Sequence, residues 1–150
     1  MPRDLLLVLA ILVLFPIFFV GLWLFVATIL SAAGGWGTLA ARYPAPPGAV
    51  GQAYGNSSGF LRRWGLPVNY NYILLVRVGE SGIGLETHFP FRFKHPPLFI
   101  PWQAVRECRR FSLLFFSGAE IRLHESDVRI AIIGRAGSAI LEQCSRLHRQ

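Results

Sequence analysis

From Leu5 to Leu30 the chain carries 26 consecutive residues without a charge, and Thr28 is the only hydroxyl among them. About 20 such residues cross a bilayer as a helix. The run therefore predicts a transmembrane segment and sets the rest of the chain to work at a membrane surface. A secretory signal is the competing reading, with Ser31-Ala32-Ala33 resembling a cleavage site. The apolar part of a signal peptide spans only about 7–15 residues, so a retained anchor is the better fit. At 1.5 Å per residue the run measures about 39 Å, more than the hydrocarbon core of about 30 Å requires. A tilt, or a bend at Pro16, would absorb the excess. Trp23 and Trp36 then fall where interfacial aromatics anchor spans.

The basic residues orient the span. Arg3 is offset by Asp4 on one side, whereas Arg42 and Arg62-Arg63 follow on the other. The positive-inside rule then predicts a soluble part in the cytoplasm. The net charge of +7 lies entirely after the span. Fourteen of the fifteen basic residues are Arg, with Lys94 the exception. That bias reads as the base composition of a GC-rich bacterial genome, which places the span in a bacterial inner membrane. Cys108 and Cys144 are too few and too far apart for a disulfide framework or a zinc site. They are expected to be reduced core thiols, with a bridge between them as the other reading.

After the span, the organisation changes twice. Trp36, Leu39, Ala40 and Tyr43 recur at helical spacing and predict a short juxtamembrane helix ending before Pro44. Residues 44–59 are rich in Pro, Gly, Ser and Asn and read as a linker. The predicted units are thus an anchor over 1–35, a juxtamembrane helix and linker over 36–58, and a β domain over 59–150. Within that domain Ile83, Leu85, Thr87, Phe89, Phe91 and Phe93 alternate with smaller or polar residues, the period of a strand with one apolar face. Strand-like runs recur at 60–64, 72–78, 83–89, 98–102, 105–116, 119–124 and 128–133. Short, evenly separated strands predict a small antiparallel barrel or sandwich. After Gly134 the period becomes helical, with Ala136, Ile140, Cys144 and Leu147 on one face and cations in the last turns. Such a helix is suited to plug the mouth of an open barrel.

About seven strands capped by a C-terminal helix resemble the pleckstrin-homology (PH)-like superfold, including GRAM and bacterial PH domains. More locally, Trp64-Gly65-Leu66-Pro67-Val68-Asn69-Tyr70, Gly84-Leu85 and the string from His95 to Trp102 resemble a group of uncharacterised bacterial single-span proteins. Their juxtamembrane Trp-x-x-Leu-Ala-x-x-Tyr also matches Trp36, Leu39, Ala40 and Tyr43. The resemblance implies a layout and no activity, because PH-like folds serve lipid binding, peptide binding and scaffolding alike.

Three groups of residues are candidates for contact. In the string from His95 to Trp102, Pro97 and Trp102 form either a recognition edge or a rigid crossing between sheets, since proline donates no ladder hydrogen bond. Arg62, Arg63, Arg92, Lys94, Arg109 and Arg110 either face anionic lipid or simply solvate strand faces. Phe15, Phe18, Phe19, Gly21 and Trp23 either contact a larger membrane complex or face lipid. Chemistry is poorly represented. His88, His95, His124 and His148 lack metal-ligand spacing, and no phosphate-binding glycine pattern occurs. Cys108 sits among Arg106, Arg109 and Arg110, which favour a thiolate, but no nucleophile motif surrounds it. The sequence predicts a non-catalytic binding or scaffolding module with no cofactor, no metal and no nucleic-acid partner. An accessory subunit of a membrane complex is the alternative, and a membrane-tethered enzyme the third.

Overall fold

A computed structural model describes residues 2–48 and 51–150. The apolar run forms α1 (Arg3–Gly34), which passes through Pro16 without interruption. Its first part, up to Leu22, stands clear of the rest of the protein with its large side chains exposed. That part is about 30 Å long, and the helix is long and apolar enough to cross a membrane. The last three or so turns of α1 lie against the folded domain, where Ala27, Ser31 and Gly34 are buried.

Gly35 ends α1 in the left-handed conformation, with φ of +83°. A side chain there would be strained, and its Cβ would press on Val128. This turn aims α2 (Trp36–Arg42) into the domain. Trp36 and Leu39 are wholly buried, and the Trp36 indole N–H donates to the Pro96 carbonyl at 2.9 Å. The expected interfacial position of Trp36 is therefore corrected. Its ring fills the core, because the fold offers a cavity between strands that a short helix must close.

Seven strands follow: β1 (Gln52–Arg62), β2 (Val68–Val78), β3 (Gly82–Thr87), β4 (Leu98–Pro101), β5 (Val105–Leu113), β6 (Phe116–Leu123) and β7 (Arg129–Ile133). They form one antiparallel sheet in the order β4-β3-β2-β1-β7-β6-β5, curled into a half-barrel. Two departures from the sequence reading stand out. The first strand starts at Gln52, within the stretch read as linker, because its small residues still complete a ladder with β2. Just before it, Phe99 N–H donates to the Tyr43 carbonyl and Ala45 N–H to the Pro97 carbonyl, covering the β4 edge. In the second, β3 stops at Thr87, and residues 88–95 turn back along α1 although their alternation continues. There Phe91 stacks on Trp23, with ring centroids 5.0 Å apart.

α3 (Gly134–Leu147) packs on the concave face through Ala136, Ile140 and Cys144, as its periodicity predicts. Gly137 lets it come close, since a Cβ there would run into the Ile132 carbonyl and Gly118. The thiol reading is corrected: Cys144 is joined by a disulfide to Cys108 on β5, with Cα atoms 6.5 Å apart. Cys108 lies opposite Ile121 on the face that α3 covers, a proximity set by tertiary packing and invisible in the spacing.

If α2 is a core element, Trp36→Ala lowers unfolding stability by about 3–5 kcal/mol, the range for a buried aromatic. Gly35→Ala lowers it by at least about 1–2 kcal/mol through backbone strain. Urea unfolding of the full chain in detergent checks both. An interfacial Trp36 would leave stability nearly unchanged.

Candidate functional site

Three regions gather the chemistry-bearing side chains. The first joins α1 to the β-sheet domain. His95 is buried and bridges two partners: its Nδ1 lies 2.9 Å from the Phe93 carbonyl and its Nε2 3.0 Å from the Tyr70 hydroxyl. A carbonyl only accepts, so Nδ1 carries the proton and Tyr70 donates to Nε2. Burial lowers the His95 pKa, against a smaller opposing effect of the Phe93 bond, so the ring is neutral. Burial pushes the Tyr70 hydroxyl far above its ordinary value. Trp36 packs against both rings, at 5.5 Å from Tyr70 and 5.3 Å from His95. Ser31 Oγ of α1 donates to the Lys94 carbonyl at 2.6 Å. All these polar groups are spent on holding α1, α2, β2 and the 88–97 segment together.

The second region is basic. On the outer face, Arg62, Arg129 and Arg122 are successive partners across β1, β7 and β6, and Arg122 faces Glu107 on β5. One row along, Arg109 donates to Glu120 at 2.8 Å, and Arg122 reaches the same carboxylate at 3.3 Å. Burial works to raise the Glu120 pKa, but the two guanidinium groups outweigh it and hold the carboxyl below its usual range. Phe60 and Phe111 stack edge to face at 5.2 Å beside this row.

The six basic residues grouped by the sequence reading do not converge. Arg62 and Arg109 share the outer face. Arg110 lies on the same side of β5 as Cys108, opposite Ala119. Arg63 stacks on Trp64 at 4.1 Å, bonds Thr38 and pairs with Asp127 at 3.5 Å. Arg92 and Lys94 sit on the turn beside α1, where Arg92 donates to the Thr87 carbonyl. Pro97 is exposed, whereas Trp102 is buried and donates to the Gly79 carbonyl at 2.9 Å, the geometry of a rigid crossing.

The third region is apolar and was missed in the sequence. The β5–β6 hairpin turns on Leu114-Phe115, which are 85% and 97% exposed. Tyr72 and Phe116 line a recess of about 700 Å³ together with Ser58, Gly134 and Arg135. A second, smaller cleft of about 120 Å³ lies between α1 and the domain, lined by Trp23, Leu30, Ile73 and Phe91 among others. The signal for this region was the unbroken Leu113-Leu114-Phe115-Phe116 at a hairpin tip, where polar turn residues are usual.

Among the described residues, no group of His, Cys, Asp or Glu is arranged to hold a metal ion. Comparison with protein-family models, curated proteins and solved structures gives no match to this chain. The class defined by the fold is a seven-stranded antiparallel half-barrel with a C-terminal helix, packed against the end of a long apolar N-terminal helix.

The neutral state of His95 gives a pH signature. Its folded-state pKa lies below the unfolded value, so the unfolded chain takes up the proton first. This contribution to stability is complete above the ordinary histidine pKa of about 6.5 and is lost as pH falls below it. Denaturant unfolding between pH 7.5 and 5 is expected to show this loss, and His95→Gln to flatten it. An unchanged slope in the variant would assign the effect elsewhere.

Proposed function

We propose that this chain is a single-span membrane protein, and that its helix holds a PH-like domain at the bilayer for non-catalytic binding or scaffolding. One observation carries the reading: anchor and domain form a continuous packed unit through α1, Gly35 and the buried α2. A domain on a flexible tether samples many orientations, whereas this one presents fixed faces to whatever approaches the bilayer. The all-antiparallel strand order and the C-terminal helix on the concave face support the PH-like assignment. The outer Arg62–Arg129–Arg122 row supports an anionic group on the partner. The spending of Tyr70 and His95 on structural hydrogen bonds supports a binding role over a catalytic one.

The side of the membrane is proposed from the disulfide. Within about 15–20 residues of the span ends, the window over which basic residues orient a helix, Arg3 and Arg42 balance. A structural disulfide forms and persists in oxidising compartments and is rare in the cytosol. The Cys108–Cys144 bond therefore favours a domain outside the cytoplasm, on the periplasmic face if the membrane is a bacterial inner membrane. This replaces the cytoplasmic orientation expected from the charge pattern.

Two measurements test the proposal. A dual reporter fused after Gln150 is expected to give the periplasmic signal, and a cytoplasmic signal would overturn the orientation. Crosslinked co-purification from native membranes is expected to recover the same partner after residues 5–22 are replaced by an unrelated span. Loss of that partner on replacement would instead mark an accessory subunit bound through its helix.

A further inference from the structure

Apart from Trp64 at the β1–β2 turn and Phe93, the most exposed aromatic side chains of the domain are Tyr72, Phe89, Phe115 and Phe116. Trp23 stacks on Phe91, and both line one cleft with Ile73. His88 N–H donates to the Ile73 carbonyl, and Phe89 follows it at the start of the turn, while Tyr72 directly precedes Ile73 on β2. Tyr72 borders the same recess as Phe116, and the hairpin tip continues from Phe116 to Phe115 and Leu114. A continuous rim thus leads from the helix to Phe89 and Tyr72, which are 86% and 72% exposed, and on to the Leu114-Phe115 tip.

Two features set this rim apart from ordinary surface. Leu114 adopts a φ of +53°, a conformation costly for a branched residue and normally given to Asn or Gly in a tight hairpin. The tip thus accepts strain and exposes apolar side chains where polar ones would serve the turn better. Second, one end of the rim, at Ile73 and Phe91, lies against Trp23, where α1 leaves the domain. The free part of the helix, Arg3–Leu22, matches the hydrocarbon thickness of about 30 Å. Once that part is inserted, Trp23 and Phe91 lie at the interface, and the rim has a bilayer beside it. A cation also sits here, since Arg135 lines the recess. Aromatic and aliphatic groups with a cation beside them suit the boundary between acyl chains and headgroup phosphates.

We propose that Phe89, Tyr72 and the Leu114-Phe115 tip form a second membrane-contact surface, seated in the interfacial layer of the bilayer that α1 spans. The inference rests on the reading of α1 as a transmembrane helix. With the rim seated, the domain is held at two places and cannot pivot about the span. The exposed Leu66 belongs to a different end of the domain. It lies on the β1–β2 turn next to Val68, which packs on Gly34 at the far end of α1. It is 89% exposed and serves as an apolar control with no bilayer beside it.

The test uses the full chain in nanodiscs containing lipids with a nitroxide near the headgroup. Single cysteines introduced as Phe115→Cys, Phe89→Cys, Leu66→Cys and Leu12→Cys carry an environment-sensitive fluorophore. Labelling is done without reductant, and the parent chain is the blank. Labels at Phe115 and Phe89 are expected to be blue-shifted and quenched severalfold more than the label at Leu66. Blue-shifted emission at Leu12 with water-like emission and no quenching at Phe115 and Phe89 would overturn the rim contact and leave the span intact. Water-like emission at Leu12 would overturn the span itself. Equal quenching at Leu66 and Phe115 would mean indiscriminate adsorption and also overturn the proposal.

Discussion

Burial of the Trp36 indole between β2 and the 88–97 segment is the contact on which the rest of the architecture depends. It turns a helix that would otherwise trail from its domain into part of the domain's core. The indole contributes apolar area, edge contacts to Tyr70 and His95, and a hydrogen bond to Pro96. Those partners belong to two separate pieces of the chain, β2 and the 88–97 segment, so one side chain ties both to α2. Because Gly35 allows no slack between α1 and α2, the same contact sets the direction in which α1 leaves.

The half-barrel has two unclosed regions, and a helix seals each. The α2 helix packs on β4 and, through Trp36, on β2, and α3 lies across β6, β7, β1, β2 and β5. They are secured by different physics. Sequence continuity with α1 and a small polar network hold the first. The Cys108–Cys144 bond holds the second, restricting the unfolded chain by closing a loop over a sequence separation of 36. A sheet that does not close on itself leaves edges exposed, and the β4 edge is covered by Tyr43–Ala45. The same short stretch after α2 therefore completes both core and sheet.

Local patterns made much of this legible. The strands are legible where inward residues alternate with outward ones, as in Leu74 and Val76 on β2. The α3 face was found because Ala136, Ile140 and Cys144 return every four residues. What could not be read were relations between distant segments. Trp36 near a span end looks interfacial by local rule, and nothing nearby reveals a cavity waiting for it. The Phe89–Phe91–Phe93 alternation looks like strand, but β3 has no partner beyond Thr87 and the chain follows α1 instead. The six basic residues are parted for a related reason: side alternation on β5 separates Arg109 from Arg110, and Arg92 and Lys94 lie on the turn after β3. The Arg62–Arg129–Arg122 row arises only from strand register.

The end of α1, α2 and the half-barrel make one folded unit. Amide hydrogen exchange of the full chain in nanodiscs tests this most directly, read at Leu39 and Tyr43. Their N–H groups donate to the Gly35 and Leu39 carbonyls at 3.0 Å and 2.7 Å. The account predicts protection as strong as that of the central strands β1 and β7, lost only when the whole domain unfolds. Exchange at the rate of a solvent-exposed linker, with β1 and β7 still protected, would contradict it.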